Sequence, residues 1–254
     1  MTILHYKKTG SGPNIVLIHG LFGSLDNLNM VAKKLVKHFT VTSMDVRNHG
    51  ASFHQKNMEY SVLANDVVDT LNILSISKTI ILGHSMGGKI AMQVALDFPN
   101  VVEKLIVADI APVSYPPHHS KIIAGLLSLN LNEHKSRQTI DKALSTYVSE
   151  PSIRQFLLSN IINDKGQLSF RCNLNNIGAG YSQIIKALPQ NKSFTGPVLF
   201  IKGGQSDYIT AEHSAIIQQL FPSSSAKIIQ QAGHWLHAEK TAIFNKIIGD
   251  FLLK

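Results

Sequence analysis

The stretch "ILGHSMGGKI", residues 81–90, places Ser85 between Gly83 and Gly87 in the pattern G-x-S-x-G. The apolar run "KTIILG" leads directly into it, and the helix-like run "KIAMQVALDF" leads directly out. A turn this sharp leaves no room for side chains two residues before and after the serine. The pattern therefore predicts a strained backbone that exposes the Ser85 hydroxyl as a nucleophile. The alternative is an ordinary serine in a glycine-rich loop.

A nucleophilic serine needs nearby donors that stabilise negative charge on the oxygen of the group it attacks. The Met86 amide begins the helix after the serine and is predicted to be one of these oxyanion-hole donors. The run "HGLFGS" follows the strand-like "IVLI" and supplies a second amide, that of Leu21, with Phe22 as the alternative. His19 in the same run is interpreted as a residue that shapes the loop rather than as a base.

A serine hydroxyl also needs a base to take its proton. His234 in "QAGHWLHAEK" is the predicted base, because it follows the last strand-like run on a glycine-preceded loop, and His237 is its rival. His118 and His119 lie beside prolines and are expected at the surface. The two histidines of "HWLH" have no carboxylate or cysteine partner at zinc spacing, so no metal site is predicted.

Two aspartates are candidates for the acid that orients the imidazole. Asp109 ends the strand-like run "KLIVAD", and Asp207 follows the run "VLFIKGG" in a G-x-x-D pattern. Either carboxylate could hold the imidazole in the tautomer that a base requires. The other would then be an ordinary turn residue. The residues alone leave this choice open.

Short apolar runs alternate with helical patterns along most of the chain. This alternation predicts an α/β fold with a mainly parallel sheet covered on both faces, in which ligands bind at the carboxyl ends of the strands. Ser85, Asp109 and Asp207 follow such runs, as do His19 and Asp45. The strand-like runs are "NIVLIHG", "FTVTSMD", "KTIILGH", "KLIVADI" and "PVLFIKGG".

The alternation fails between Ala111 and about Gln190, where helical segments follow one another with one brief β-like piece, "GQLSF". Strand and helix alternation returns at "GPVLFIKGG". The sequence therefore predicts a core formed by residues 1–111 and 191–254, with a helical cap, residues 112–190, inserted into it.

Composition narrows the class of protein. The chain has 254 residues, 44% of them hydrophobic and 16% charged, with a net charge of +8. The basic residues are scattered without interleaved aromatics, so nucleic-acid binding is not expected. No run is apolar enough to cross a membrane, no signal peptide is recognisable, and the single cysteine, Cys172, excludes an internal disulfide. We expect a cytoplasmic protein.

Five segments carry a resemblance to a known family. The chain resembles the YbfF-type carboxylesterases of bacteria and their mitochondrial α/β-hydrolase relatives. The resemblance implies an eight-stranded α/β-hydrolase core, a helical cap after the sixth strand, and hydrolysis of short acyl esters or thioesters. It also implies that the acid is Asp109, although the extra Asp207 departs from the family. The segments are "HGLFGSLDNL", "DVRNHG", "GHSMGGK", "DIAPV" and "GHWLHAEK".

The function predicted from these features is that of a serine carboxylesterase acting on short to medium acyl esters through an acyl-enzyme. Its partner would be a small-molecule ester, no cofactor is required, and the oligomeric state, monomer or dimer, is left open. Phe22 and Trp235 are predicted to lie near the mouth of the substrate pocket. A thioester hydrolase with the same triad and a non-catalytic binding protein on a hydrolase fold are the alternatives.

Overall fold

A central sheet of seven strands organises the computed structural model, which describes residues 3–134 and 136–253. The strands are β1 (Tyr6–Thr9), β2 (Asn14–Ile18), β3 (Thr40–Met44), β4 (Thr79–His84), β5 (Val102–Ala108), β6 (Ile161–Asp164), β7 (Gln167–Phe170), β8 (Val198–Gly203) and β9 (Ser224–Ile229). Their order in the sheet is β1-β3-β2-β4-β5-β8-β9. Only β1 runs antiparallel to its neighbour in this sheet, so the predicted α/β fold with a mainly parallel sheet is confirmed.

Helices cover both faces of the sheet. Alternate residues of β2 divide between the two sides, with Ile15 and Leu17 packing toward α1 and α11, and Val16 and Ile18 toward α2 and α3. Burial on both faces explains why the strands read as continuous apolar runs. The helices are α1 (Asn29–Leu35), α2 (Tyr60–Ile73), α3 (Met86–Asp97), α4 (Ser120–Ser128), α5 (Arg137–Leu144), α6 (Pro151–Leu158), α7 (Leu174–Ala179), α8 (Tyr181–Ile184), α9 (Ser214–Leu220), α10 (Leu236–Glu239) and α11 (Thr241–Leu252).

The strand count differs from the eight predicted. Within the described residues, no strand precedes β1, because the amides of Leu4 and His5 donate to the side chains of Thr70 and Ser52 instead of to a neighbouring strand. The brief β-like piece "GQLSF" forms β7, which pairs with β6 in a separate antiparallel hairpin. The sheet therefore has seven strands instead of eight.

Residues 112–190, called the insertion below, lie between β5 and β8. They contain helices α4 to α8 and the hairpin, so the insertion follows the fifth strand of this sheet, not the sixth, and is not purely helical. Its two ends meet, since Leu188 donates to the carbonyl of Pro112 and Tyr115 to that of Ile185. The division into core and cap stays a prediction.

The carboxyl ends of the parallel strands converge on one edge of the sheet. The turn after β4 carries Ser85, the residue after β5 is Asp109, and the loop after β9 carries His234. Side chains distant in the sequence therefore meet where ligands bind in such sheets. In the described part of the chain, no helix has the length and apolarity to cross a membrane.

Candidate active site

The backbone at Ser85 is strained, as the G-x-S-x-G pattern predicts. Ser85 has φ 54° and ψ −121°, a conformation that side-chain-bearing residues rarely adopt. A Cβ at Gly83 would lie 2.0 Å from the carbonyl oxygen of Gly87, and one at Gly87 would lie 2.3 Å from that of Ile18. Both glycines are therefore required by close backbone approach, and the strand passes into α3 without a loop.

Three side chains from separate loops form a continuous chain of hydrogen bonds. The Ser85 hydroxyl lies 2.9 Å from Nε2 of His234, and Nδ1 of His234 lies 2.7 Å from Oδ2 of Asp109. Asp109 is fully buried and also accepts from the Gly203 amide at 2.8 Å and from the Ser206 hydroxyl. With two other donors fixing this carboxylate, His234 Nδ1 carries its proton toward Asp109, and Nε2 is free to accept from the serine.

Asp207, the alternative acid, lies elsewhere. Its side chain is exposed, whereas its neighbour Ser206 turns inward and donates to Asp109. No hydrogen bond joins Asp207 to His234, although both residues belong to the described part of the chain. The structure therefore pairs Asp109 with the imidazole, and Asp207 takes no part in this contact.

His237, the rival candidate for the base, is buried close to these three side chains, and no hydrogen bond joins it to Ser85 although both residues are described. Its ring packs 4.4 Å from the ring of His84, and burial lowers its pKa to about 4. His84 in turn donates from Nε2 to the backbone carbonyl of His234 at 2.8 Å. These two neutral rings support the loop that carries His234. The imidazole that bonds Ser85 is that of His234.

The backbone amides of Met86 and Leu21 are the predicted oxyanion-hole donors. The Met86 amide begins α3 next to Ser85, where no residue of the same helix can accept from it. The Phe22 amide is occupied, because it donates to Nε2 of His49 at 3.2 Å. The alternative second donor, Phe22, is therefore engaged, and Leu21 stays the predicted second donor.

Histidine and aspartate side chains hold the oxyanion loop in shape. His19 is buried, accepts from the Val46 amide at 3.0 Å through Nε2, and bonds the Gly20 carbonyl at 2.7 Å through Nδ1. Burial lowers the pKa of His19, which keeps the ring neutral and able to accept. Asp45 accepts from the Leu25 amide at 2.7 Å. His19 therefore shapes the loop, as the sequence indicates.

One amide of the insertion reaches the same loop. Asn160, between α6 and β6, donates from Nδ2 to the carbonyl of Phe22 at 2.6 Å. The Phe22 backbone is thus held from both sides, by His49 at its amide and by Asn160 at its carbonyl. Phe22 itself adopts φ 59°, so these two contacts fix an otherwise strained residue.

Two cavities meet at Ser85. The larger has a volume of about 750 Å³ and is mostly apolar, with Phe22 and Trp235 in its wall and Phe156 packed against Trp235. The smaller has a volume of about 30 Å³. His119, expected at the surface, is only partly exposed and borders both cavities, where it bonds the Tyr181 hydroxyl.

Several residues of the site carry no recognisable signal in the sequence. Tyr208 stacks on the His234 ring with centroids 4.0 Å apart, and Lys89 extends from α3 to the smaller cavity. The G-x-x-D pattern indicates Asp207 as a candidate, whereas the residue that bonds Asp109 is Ser206, one position earlier. Asn160 lies in a stretch without any motif. Only the position of Lys89, one helical turn after Ser85, indicates its proximity to the site.

The single thiol is buried, and the described residues contain no metal-binding cluster. Cys172 is buried, and burial raises its pKa to about 12, which leaves a neutral and unreactive thiol. Among residues 3–134 and 136–253, no cluster of three or more His, Cys, Asp or Glu side chains is arranged to hold a metal ion.

The chain is similar to esterases and lipases. The α/β hydrolase fold family matches residues 13–127. sn-1-specific diacylglycerol lipase ABHD11 of Mus musculus is 38% identical over 94% of this chain and 81% of its own. Esterase YbfF of Escherichia coli is 36% identical over 89% of this chain and 87% of its own.

A solved structure extends this similarity to three dimensions. The structure called marine microorganism esterase superposes with a TM-score of 0.95 at 37% identity, covering 99% of this chain and 100% of that one. Sequence similarity over nearly the whole length and a matching fold agree. The chain therefore belongs to the α/β-hydrolase family, among the esterases of the YbfF type.

Proposed function

We propose that the protein is a serine carboxylesterase that acts through an acyl-enzyme. One observation carries the proposal, the unbroken sequence of hydrogen bonds from Ser85 through His234 to Asp109 at 2.9 and 2.7 Å. The relatives named above are an esterase and a diacylglycerol lipase, so carboxylic esters are the substrates common to their names.

In the first half-reaction, His234 takes the proton of the Ser85 hydroxyl as its oxygen attacks the ester carbonyl. The amides of Leu21 and Met86 donate to the oxygen that becomes negative. Asp109 stabilises the imidazolium that forms. His234 then gives the proton to the departing alkoxide, the bond between carbonyl carbon and alkoxy oxygen breaks, and the acyl group stays on Ser85.

In the second half-reaction, water replaces the alcohol. His234 takes a proton from water, the hydroxide oxygen bonds the acyl carbon, and Ser85 leaves with the returned proton. All proton transfers use His234, so the proposed steps need no cofactor. We further propose that the insertion acts as a cap, because Tyr181 and Phe156, both within residues 112–190, line the cavities beside the nucleophile.

Replacing the nucleophile tests this proposal. Ser85→Ala is expected to lower kcat on p-nitrophenyl butyrate by about 10⁶-fold, by the precedent of serine protease triads. Wild type is expected to give a fluorophosphonate adduct on Ser85, located by peptide mass spectrometry. The matched control, Ser182→Ala, removes an exposed hydroxyl on α8 and should keep both activity and labelling. Retained esterase activity in Ser85→Ala would refute the mechanism, and absence of the adduct would favour a binding protein.

A further inference from the structure

The two cavities that meet at Ser85 differ in which catalytic groups they contain. His234 borders only the larger cavity, together with Trp235 and Phe156. Met86, a proposed oxyanion donor, borders only the smaller one. Leu21 and Ser85 border both. The reacting carbon must therefore sit at the junction, with one of its substituents in each cavity.

The proton donor decides which substituent goes where. When the tetrahedral intermediate collapses, Nε2 of His234 must reach the oxygen of the leaving alcohol within hydrogen-bond distance. That oxygen consequently lies on the His234 side, and the alcohol extends into the larger cavity. The acyl chain then extends away from His234, past Met86 and into the smaller cavity.

Two side chains in the wall of the smaller cavity, those of Tyr60 and Lys89, are already hydrogen-bonded. The Tyr60 hydroxyl donates to the carbonyl of Ile184 at 2.6 Å, and Nζ of Lys89 donates to the carbonyls of Val113 and Lys186 at 2.7 and 2.6 Å. Moving either side chain aside would break these bonds inside a buried region, where unpaired polar groups are costly. Displacing either side chain is therefore costly, and the present volume limits the chain length that fits.

The volumes give the sizes of the two groups. A volume of about 30 Å³ admits roughly two to three water-sized groups, since one needs about 10 to 15 Å³. The larger volume, about 750 Å³, lies within the range of roughly 300 to 1,000 Å³ of sites that hold whole drug-sized ligands. The site is thus unequal on its two sides.

We propose that this unequal pair of cavities selects esters of a short acyl group, from acetyl to about butyryl, with a bulky apolar alcohol. Ile184 limits the acyl side and Phe156 lines the alcohol side. This assignment rests on the proposed esterase function. It makes the direction of the ester bond, not the total size of the molecule, the property that is recognised.

Isomeric esters test the assignment directly. Hexyl acetate and ethyl hexanoate have the same formula but place the long chain on opposite sides of the ester bond. With acid release followed in a pH-stat, hexyl acetate is expected to have at least a tenfold higher kcat/KM. Equal rates, or a preference for ethyl hexanoate, would overturn the assignment while leaving the esterase function intact. If the protein hydrolyses none of the three esters, hexyl acetate, ethyl hexanoate and p-nitrophenyl acetate, the esterase function itself is refuted.

Two matched variants assign each side. Ile184→Ala, which borders only the smaller cavity, is expected to raise the ratio of kcat/KM for ethyl hexanoate over hexyl acetate about tenfold. Phe156→Ala, which borders only the larger cavity, should lower kcat/KM for hexyl acetate but leave the ratio of p-nitrophenyl butyrate to p-nitrophenyl acetate unchanged. Ile185→Ala, also confined to the smaller cavity, serves if Ile184→Ala does not fold. A change of acyl-length preference in Phe156→Ala would contradict the assignment.

Discussion

Asp109 receives three hydrogen bonds, from the Gly203 amide, the Ser206 hydroxyl and the His234 imidazole. Its backbone has φ 53°, a conformation that aspartate tolerates better than bulkier residues do. The carboxylate is thus fixed by its own backbone and by β8 before the imidazole binds it. This arrangement makes the assignment of the acid testable with single substitutions.

Asp109→Asn is expected to lower kcat on p-nitrophenyl butyrate by about 10⁴-fold, because an amide stabilises the wrong tautomer of His234. Asp207→Asn is the matched control. Its side chain is exposed and should leave kcat within about twofold of wild type, since surface changes away from the site have small effects. Steady-state kinetics on both variants decide the matter. A large loss in Asp207→Asn with a small one in Asp109→Asn would reverse the assignment.

At the scale of elements, α3 connects the turn at Ser85 to the insertion. Lys89 is buried on α3 one turn after Ser85, and its ammonium bonds Val113 at one end of the insertion and Lys186 at the other. The same nitrogen lies 4.9 Å from the centre of the Tyr115 ring. A single side chain therefore ties both ends of the insertion to the helix that follows Ser85.

Removing this tie gives a pH-dependent effect on stability. Burial lowers the pKa of Lys89 from 10.5 to about 7, so between these pH values the unfolded chain holds more protons and raising the pH stabilises the folded state. Lys89→Met leaves two carbonyls unpaired, at about 1 to 3 kcal/mol each. From pH 7 to 9, the wild type's free energy of unfolding should gain about 2 to 3 kcal/mol relative to Lys89→Met.

Urea unfolding at the two pH values measures this gain. Lys246→Met, which removes a lysine that is 75% exposed, is the control for loss of a positive charge at the surface. The free energy of unfolding of wild type is compared with that of Lys89→Met at each pH. If the difference stays constant or shrinks as the pH rises, Lys89 is not the source of the effect.

Elements and turn chemistry could be predicted from the sequence, whereas contacts between distant segments could not. Apolar runs predict β4 and β8, and G-x-S-x-G predicts the turn at Ser85, because local backbone geometry dictates residue type. The choice of Asp109 over Asp207 depends on how β8 lies beside β5. Asn160 bonds a carbonyl 138 positions away, and any polar residue would look the same in the sequence.

At the scale of the whole molecule, the distribution of histidines links stability to acidity. Five histidines, four of them buried and His119 partly exposed, are kept neutral because desolvation lowers their pKa values. The pKa falls to about 3 for His49 and to about 4 for His119 and His237, and it is also lowered for His19 and His84. Their unfolded pKa is 6.5, so the unfolded chain gains protons first as the pH falls. The folded state is then progressively destabilised below pH 6.5.

Each buried histidine is expected to remove up to about 1.4 kcal/mol of stability per pH unit below 6.5, until its own folded pKa is reached. When the pH falls from 6 to 5, the free energy of unfolding of His237→Gln, measured with urea, should therefore decrease by about 1 kcal/mol less than that of wild type. The same substitution at exposed His118 controls for loss of the ring. Identical pH dependence in wild type and His237→Gln would exclude His237 from this linkage.

The contact from Asn160 to the Phe22 carbonyl has a mechanical consequence. If the insertion swings outward to admit a large alcohol, this bond must break or the Leu21 loop must follow the movement. Substrate would then enter before the site is ready to react. The site would become ready only when the insertion has closed and the bond from Asn160 has formed again. In an open molecule the proposed oxyanion donors, the amides of Leu21 and Met86, would not both be in place. The Asn160 side chain would thereby couple substrate entry to the reaction.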